Sequence, residues 1–170
     1  MSHLEIIKSK IYQQIEDRNF IEKLNIWRFM DKKIVFTNGC FDILHLGHVD
    51  YLSKSADLGN ILIVGLNSDS SVSKLKGTNR PIINQESRAC VLAAFNFVSA
   101  VVLFDDETPY QLIKIVQPNV LVKGSDYKPE QIIGYDIVSA KGGKIETIDF
   151  IDGYSTSLIE QKIIKNNISK

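Results

Sequence analysis

From residue 33 onward, short apolar runs alternate five times with longer segments of helical periodicity. Continuous apolar runs are typical of strands that are buried on both faces of a parallel sheet. Strand–helix alternation of this kind favours helices packed on both sides of that sheet. The sequence therefore predicts an α/β fold with a doubly wound, five-stranded parallel sheet. The predicted strands are 34–37, 61–66, 100–104, 120–122 and 144–150, and the predicted helices are 46–58, 85–97, 108–116, 129–140 and 157–165.

Residues 4–29 precede this alternation and carry apolar side chains mostly three to five positions apart. Such spacing predicts one or two amphipathic helices. We therefore divide the chain into an N-terminal helical extension, residues 1–30, and a main domain, residues 31–170. The extension is interpreted as an appendage for packing or for dimerisation.

The composition is that of an ordinary globular protein, with 44% hydrophobic residues and equal numbers of acidic and basic side chains. A net charge of zero gives no general attraction for nucleic acid or for an anionic membrane. The two cysteines, Cys40 and Cys90, have no metal-ligand spacing and form no disulfide framework. Cys40 is interpreted as a packed turn residue because nothing nearby marks an activated thiolate. With no signal peptide and no apolar run of about 20 residues, a cytoplasmic protein is expected.

The first strand–helix junction contains two histidines in the run TNGCFDILHLGH at 37–48. Ligands of open α/β sheets bind at such junctions, outside the carboxyl ends of the strands. His45 and His48 are three residues apart, so they share one face of a helical turn. Gly47 lets a ligand approach the backbone, and the helix N-terminus attracts anions. The pattern favours phosphate binding over metal ligation, because no nearby Cys, Asp or Glu completes a suitable ligand set.

The segment NSDSSVSKLKGTNRPIIN, residues 67–84, is the one irregular stretch of the main domain. It is long for a strand-to-helix connection, and such loops in compact domains are usually functional. Because it follows the second predicted strand, we expect it on the ligand side of the sheet. Its lysines, Lys74 and Lys76, can neutralise phosphates there, and the alternative is a solvated surface run.

The order of several short motifs resembles the cytidylyltransferase-like nucleotidyltransferase superfamily, whose signature is HxGH at the start of the first helix. More closely, the chain resembles the heptose 1-phosphate adenylyltransferase domain of bifunctional ADP-heptose synthases, from residue 33 to about 165. HxGH alone marks the superfamily, whereas the ordered set is much more specific. The motifs are TNGCFDILHLGHVDYL at 37–52, NSD at 67–69, LKGTNRP at 75–81, Glu86 with Arg88, ETP at 107–109, LVKGSDYKPE at 121–130 and DGYSTS at 152–157.

This resemblance implies a Rossmann-like fold and a direct reaction in which a substrate phosphate attacks the α-phosphorus of a nucleoside triphosphate. Catalysis then rests on positioning and on stabilising charge at the phosphoryl oxygens. The resemblance implies that His45 and His48 hold the triphosphate and its transition state. Lys76 then neutralises phosphates from the loop, and Arg88 offers a planar donor fork. The implied nucleotide contacts are Thr37, Gly39, Cys40, Phe41, Gly47, Asn67, Asp69, Lys74, Gly124, Asp126, Ser155 and Thr156.

Several of these residues also have a structural interpretation. Gly124 and Asp126 can be a turn glycine and a capping aspartate. The hydroxyls at 155–157 can cap the last helix, and in the related family the same helix start contacts the triphosphate. Asp42 and Asp69 are candidates for orienting a histidine or a substrate hydroxyl.

The resemblance implies transfer of AMP from ATP to D-glycero-D-manno-heptose 1-phosphate, giving ADP-heptose, a precursor of the lipopolysaccharide core. One alternative is a cytidylyltransferase acting on a polyol or glycerol phosphate, and another is a nucleotide-binding module without catalysis. Glycerol-phosphate cytidylyltransferases carry Arg-Thr-Glu-Gly where this chain has FIDG at 150–153, which weakens the cytidine alternative. The presence of both histidines, of Lys76 and of Arg88 argues against a module that has lost catalysis.

The same resemblance implies partners. Mg²⁺ is expected with ATP, held mostly by phosphates and water, and no protein metal site is predicted. Because the chain has no room for the sugar kinase domain of the bifunctional enzymes, a separate kinase is expected to supply the sugar 1-phosphate. A homo-oligomer, most simply a dimer, is also expected.

Overall fold

A computed structural model describes residues 1–125 and 129–168 and contains a six-stranded sheet whose neighbouring strands are all parallel. The strands are β1 (Ile11–Tyr12), β2 (Ile34–Gly39), β3 (Ile61–Asn67), β4 (Ala100–Phe104), β5 (Val120–Gly124) and β6 (Lys144–Ile148). The helices are α1 (His3–Lys8), α2 (Arg18–Phe29), α3 (Leu46–Ala56), α4 (Asp69–Lys76), α5 (Gln85–Ala94), α6 (Tyr110–Val116), α7 (Tyr135–Ala140) and α8 (Thr156–Ile168). Within these described ranges, no helix has the length and apolar character needed to span a bilayer.

The strand order is β1-β4-β3-β2-β5-β6. From β2 the chain adds β3 and β4 on one side, and then returns to add β5 and β6 on the other. Thr37 of β2 lies beside Val64 of β3, and Phe36 lies beside Leu121 of β5. The predicted doubly wound α/β fold is therefore confirmed. Its crevice opens outside the carboxyl ends of β2 and β5, where the winding direction reverses.

The sheet has six strands rather than the predicted five. The five predicted strands correspond to β2–β6, and the additional strand is β1, which lies in the stretch interpreted as amphipathic helix. It pairs at the sheet edge with Val101 and Val102 of β4. Side-chain caps at Ser2 and Asp17 begin the short helices on either side of it. Two paired residues carry no readable alternation, so periodicity could not reveal this strand.

Alternation along the central strands divides the hydrophobic core into two layers. Phe36 packs with residues of α2, α6 and α7, whereas the neighbouring Val35 packs with residues of α3 and α5. Helix α2 contributes Phe20 and Leu24, which are completely buried. Burial of each such side chain is worth roughly 1.5–3 kcal/mol. The N-terminal extension therefore completes one layer of the core.

Part of the segment expected to be irregular is helical. Ser68 caps the start of α4 by accepting the N–H of Ser71, and Gly77 ends the helix with a φ of 99°. Glycine adopts such a left-handed φ at little cost, and helices commonly end at such a residue. Because α4 is mostly polar, periodicity does not identify it. Conversely, the helix predicted over 129–140 is a 3₁₀ turn followed by the six-residue α7.

Candidate active site

The carboxyl end of β2 leads through a tight corner into α3. After Gly39 the chain passes Phe41, which has a φ of 45°, and His45 occupies the N-cap of α3. His45 makes no side-chain hydrogen bond to the helix, so the first-turn N–H groups keep their capacity to bind an anion. A Cβ on Gly47 would lie only 3.0 Å from Nδ1 of His45. Glycine at this position therefore allows the imidazole to lie against the helix start.

His45 and His48 form a stacked pair. Their ring centroids are 4.0 Å apart with 27° between the planes. Among the described residues, neither Nδ1 atom has a hydrogen-bond partner. Burial lowers the pKa of His45, and burial, His45 and Lys76 together lower the pKa of His48 to about 4. Both rings are therefore neutral near pH 7, and each can donate one N–H to a phosphoryl oxygen.

His48 lines a cavity of about 380 Å³ at the crevice between β2 and β5, which we call the reaction cavity. Two lysines stand in its wall, Lys76 at the end of α4 and Lys123 on β5. Lys123 donates to Oδ1 of Asn38 at 2.5 Å. Beside two neutral imidazoles, these lysines supply the positive charge that a triphosphate requires. The other lining residues are Asn38, Gly39, Cys40, Phe41, Asp42, Tyr51, Gly124, Phe150 and Thr156.

Thr37 lies beneath the reaction cavity rather than in its wall. It is fully buried, and its hydroxyl shares a 2.7 Å hydrogen bond with the phenol of Tyr51, which lines the cavity. Cys40 lies in the wall, where burial raises the pKa of its thiol despite the opposing charges of Lys76 and Arg88. A protonated thiol agrees with the interpretation of Cys40 as a packed turn residue.

Arg88 is completely buried and donates to four protein acceptors. Nη1 donates to the carbonyls of Cys40 at 2.5 Å and Asn67 at 2.9 Å. Nη2 donates to Oδ1 of Asp69 at 2.6 Å, and Nε donates to the carbonyl of Ile83 at 2.9 Å. Four of the five guanidinium N–H groups are thus used within the protein. This geometry favours a positioning role over the expected phosphate contact, and it makes Asn67 and Asp69 partners of Arg88.

Asp42 organises the loop between α4 and α5. Its carboxylate accepts the N–H groups of Ile82 and Ile83 and a bond from Arg80, each at 2.9 Å. Burial raises the pKa of Asp42, but these donors outweigh burial and hold that pKa below its usual range. Arg80 also pairs with Glu160 of α8. Asp42 therefore connects the corner after β2 to the loop and to the last helix, rather than orienting a histidine.

The remaining predicted contacts are divided between the wall of the reaction cavity and its surroundings. Gly124 and Thr156 line the cavity. The hydroxyl of Ser155 accepts a first-turn N–H of α8 at 3.1 Å, as the capping interpretation predicts. Lys74 is exposed on α4 and is absent from the described lining. Asp126 lies outside the described residues.

Four residues that line the reaction cavity were not predicted as site residues: Asn38, Tyr51, Lys123 and Phe150. Lys123 is a charged residue at the carboxyl end of an apolar strand, and that position is the signal that identifies it. Tyr51 and Phe150 pack with ring centroids 5.5 Å apart and present an aromatic surface to the cavity. Tyr51 falls on the apolar face of α3 and is indistinguishable in sequence from a core residue. The only sequence signal at Phe150 is that glycerol-phosphate cytidylyltransferases carry an arginine at the corresponding position.

Comparisons with known proteins agree with this geometry. A family model described as cytidylyltransferase-like matches residues 36–162. The bifunctional protein HldE of Campylobacter jejuni subsp. doylei is 57% identical over 142 residues, and that of Geotalea uraniireducens is 52% identical over 139 residues. These matches cover 84% and 82% of this chain but 30% and 28% of the relatives. The chain thus spans less than a third of their length.

Two solved structures share the fold. A lipopolysaccharide core biosynthesis protein from Thermoplasma volcanium has a TM-score of 0.55 at 24% identity, covering 73% of this chain and 99% of that one. A pantoate-beta-alanine ligase from Francisella tularensis has a TM-score of 0.58 at 16% identity, covering 82% and 66%. At these identities the likeness concerns the fold alone. The match over residues 36–162 and the identity to the HldE proteins confirm the resemblance seen in the ordered motifs: the chain belongs to the cytidylyltransferase-like family and is a nucleotidyltransferase.

Proposed function

We propose that this protein transfers AMP from ATP to the phosphate of D-glycero-D-manno-heptose 1-phosphate, giving ADP-heptose and pyrophosphate. The observation that carries the proposal is the stacked pair of His45 and His48 beside the reaction cavity, whose wall also holds Lys76 and Lys123. The HldE relatives and the ordered motifs support the heptose phosphate as acceptor.

In the proposed reaction, an oxygen of the acceptor phosphate attacks the α-phosphorus of ATP in line with the bond to the α,β-bridging oxygen. The new P–O bond forms as the bridging bond breaks, and pyrophosphate leaves with the bonding electron pair. The attacking oxygen is already anionic, so no proton has to be removed from it. The task of the protein is therefore positioning and charge stabilisation.

The residues of the reaction cavity suit this task. Lys76 and Lys123 attract the triphosphate, and the N-terminus of α3 adds a partial positive charge. With a pKa of about 4, His48 offers an N–H donor near neutral pH without competing as a second cation. Donors held in place before the reaction stabilise the charge that develops on the phosphoryl oxygens without reorganising.

The aromatic surface of the reaction cavity offers a place for the base. Phe150 is 52% exposed and packs against Tyr51, and a nucleobase can stack on such a surface. Phe150 stands where glycerol-phosphate cytidylyltransferases carry an arginine. We therefore favour adenine over cytosine as the base that this cavity accepts.

We further propose that Mg²⁺ arrives bound to ATP. Among the described residues, no group of three or more His, Cys, Asp or Glu side chains is placed to hold a metal ion. Phosphate oxygens and water are the ligands that Mg²⁺ takes in such complexes. We also propose that a separate sugar kinase supplies the sugar 1-phosphate. The protein is proposed to be a homodimer and to act in the cytoplasm, where ATP is available.

Pyrophosphate release tests the proposed reaction. ATP, CTP, GTP and UTP are each combined with heptose 1-phosphate and with glycerol 3-phosphate. We expect the fastest release from ATP with heptose 1-phosphate, and a rate at least about 100-fold lower in His48→Ala, the scale for losing one charge-stabilising donor. Faster release from CTP with glycerol 3-phosphate would favour the cytidylyltransferase alternative. Release from no pair would favour a module without catalysis.

A further inference from the structure

A second cavity, of about 420 Å³, opens near the carboxyl end of β4, and we call it the β4 cavity. Gln14 and Ile15, which follow β1, line one side. Ser70 of α4 and the pair Asp105 and Asp106, which follow β4, also contribute to its lining. Because β1, β3 and β4 run parallel to β2 and β5, the carboxyl ends of all these strands lie on one side of the sheet. The β4 cavity and the reaction cavity both open on that side.

The lining of the β4 cavity fits a neutral compound with many hydroxyl groups. Ile15 and Leu103 provide apolar surface, Gln14 provides an amide, and Asp105 and Asp106 provide carboxylates. Among the described residues that line it there is no lysine, arginine or histidine, so the lining does not favour a phosphate. Sugar hydroxyls can donate to the carboxylates and to the amide oxygen, while C–H groups pack on the apolar surface.

Asp105 is held in place for such a role. One of its carboxylate oxygens accepts hydrogen bonds from the hydroxyls of Ser68 and Ser70. These hydrogen bonds lower the pKa of Asp105. The carboxylate is thus ionised at neutral pH and fixed through one oxygen, which leaves the other able to accept from a ligand hydroxyl.

Helix α4 connects the two cavities. Ser70, near its start, lines the β4 cavity, and Lys76, at its end, lines the reaction cavity. The helical rise between these two residues is about 9 Å. The sheet gives a similar separation, because two strand spacings from β2 to β4 amount to roughly 10 Å. An extended hexose or heptose phosphate covers such a distance between its phosphate and its far hydroxyls.

We propose that the β4 cavity binds the sugar part of the acceptor, with the sugar phosphate directed into the reaction cavity. This inference rests on the proposed function and adds a recognition role for the N-terminal extension. Gln14 and Ile15 lie outside residues 36–162, which the family model matches. In this proposal the N-terminal extension, which lies outside the shared nucleotidyltransferase core, contacts the sugar of the acceptor.

The test uses the full chain and free D-glycero-D-manno-heptose, which lacks the phosphate. The reaction cavity is first filled with a non-hydrolysable ATP analogue, and heptose binding is then followed by NMR titration. Gln14→Ala and Asp106→Asn should each weaken heptose binding about fivefold, the effect of one lost hydrogen bond. Gln111→Ala and Asp57→Asn, at exposed positions away from both cavities, should leave it unchanged.

Three results would overturn the inference: no heptose binding by the wild type at millimolar concentration, unchanged binding in both β4-cavity variants, or equal weakening in the controls. Circular dichroism of each variant ensures that a loss of binding is not a loss of folding. Failure of the proposed function looks different. In that case heptose binds and responds to Gln14→Ala and Asp106→Asn, which supports a sugar site, while ATP and heptose 1-phosphate release no pyrophosphate.

Discussion

Replacing Arg88 by methionine is expected to destabilise the protein by about 3–5 kcal/mol. The change removes every donor. The carbonyls of Cys40, Asn67 and Ile83 each lose a partner, and Asp69 loses its cation. An unsatisfied buried acceptor costs about 1–3 kcal/mol, and a broken buried ion pair costs about 3–5 kcal/mol. Because the Asp69 side chain is 40% exposed, water replaces most of the ion-pair interaction, so the unsatisfied carbonyls account for most of the expected loss of about 3–5 kcal/mol. With a urea m-value of about 2–3 kcal/mol/M, the unfolding midpoint should fall by roughly 1–2 M.

Urea unfolding followed by the fluorescence of Trp27, the single tryptophan, measures this effect. The matched control is Arg18→Met, which removes a helix-surface pair with Glu22 whose side chains are 90% and 58% exposed. Exposed pairs contribute little, so the control should change stability by less than about 0.5 kcal/mol. Suppose instead that Arg88→Met keeps wild-type stability and loses only activity. The guanidinium then serves the phosphate, and the positioning role is refuted.

Three further variants test other parts of the account. Because the pKa of His48 falls from 6.5 to about 4 on folding, the unfolded chain binds more protons between these values, and stability falls as pH falls through that window. Between about pH 7 and pH 4.5 the wild type should lose about 1–2 kcal/mol more stability than His48→Asn, a range reduced because the ring is partly exposed. Urea titrations at the two pH values measure these losses, and equal losses in the two proteins would contradict the expectation. Lys76→Met should lower kcat/KM for ATP about tenfold more than Lys74→Met, because Lys76 lines the reaction cavity and Lys74 is not among the described residues that do so; similar values would refute this. Deleting residues 1–29 uncovers the sheet face packed by Phe20 and Leu24. The deletion should therefore abolish the cooperative thermal transition measured by circular dichroism, and a transition at the wild-type temperature would show that the extension is dispensable.

The doubly wound sheet was predictable because its central strands are continuous apolar runs separated by helix-length segments. The elements that periodicity could not identify are those with little or no apolar pattern. Strand β1 has only Ile11 and Tyr12, and its formation depends on pairing with the edge of β4. Helix α4 is mostly polar, and it is defined by the cap at Ser68 and the glycine at its end.

At the candidate site, the sequence indicated the histidine pair because the HxGH spacing fixes both side chains on one helical turn. It could not indicate whether a buried charge faces the ligand or the protein. Arg88 and Asp42 both belong to motifs, yet their partners come from distant loops through tertiary hydrogen bonds. Lys123 presents a different case: it lies within the motif at 121–130, but only the folded structure shows that this strand-end lysine stands in the cavity wall.

Isotope transfer tests the central claim most directly. The protein is incubated with heptose 1-phosphate and ATP labelled either at the α-phosphorus or at the γ-phosphorus, and the sugar product is separated from pyrophosphate. We predict that the α label appears in the sugar nucleotide and the γ label in pyrophosphate, and that His48→Ala nearly abolishes both. Appearance of the γ label on the sugar, or retention of the wild-type rate by His48→Ala, would contradict nucleotidyl transfer at this histidine pair.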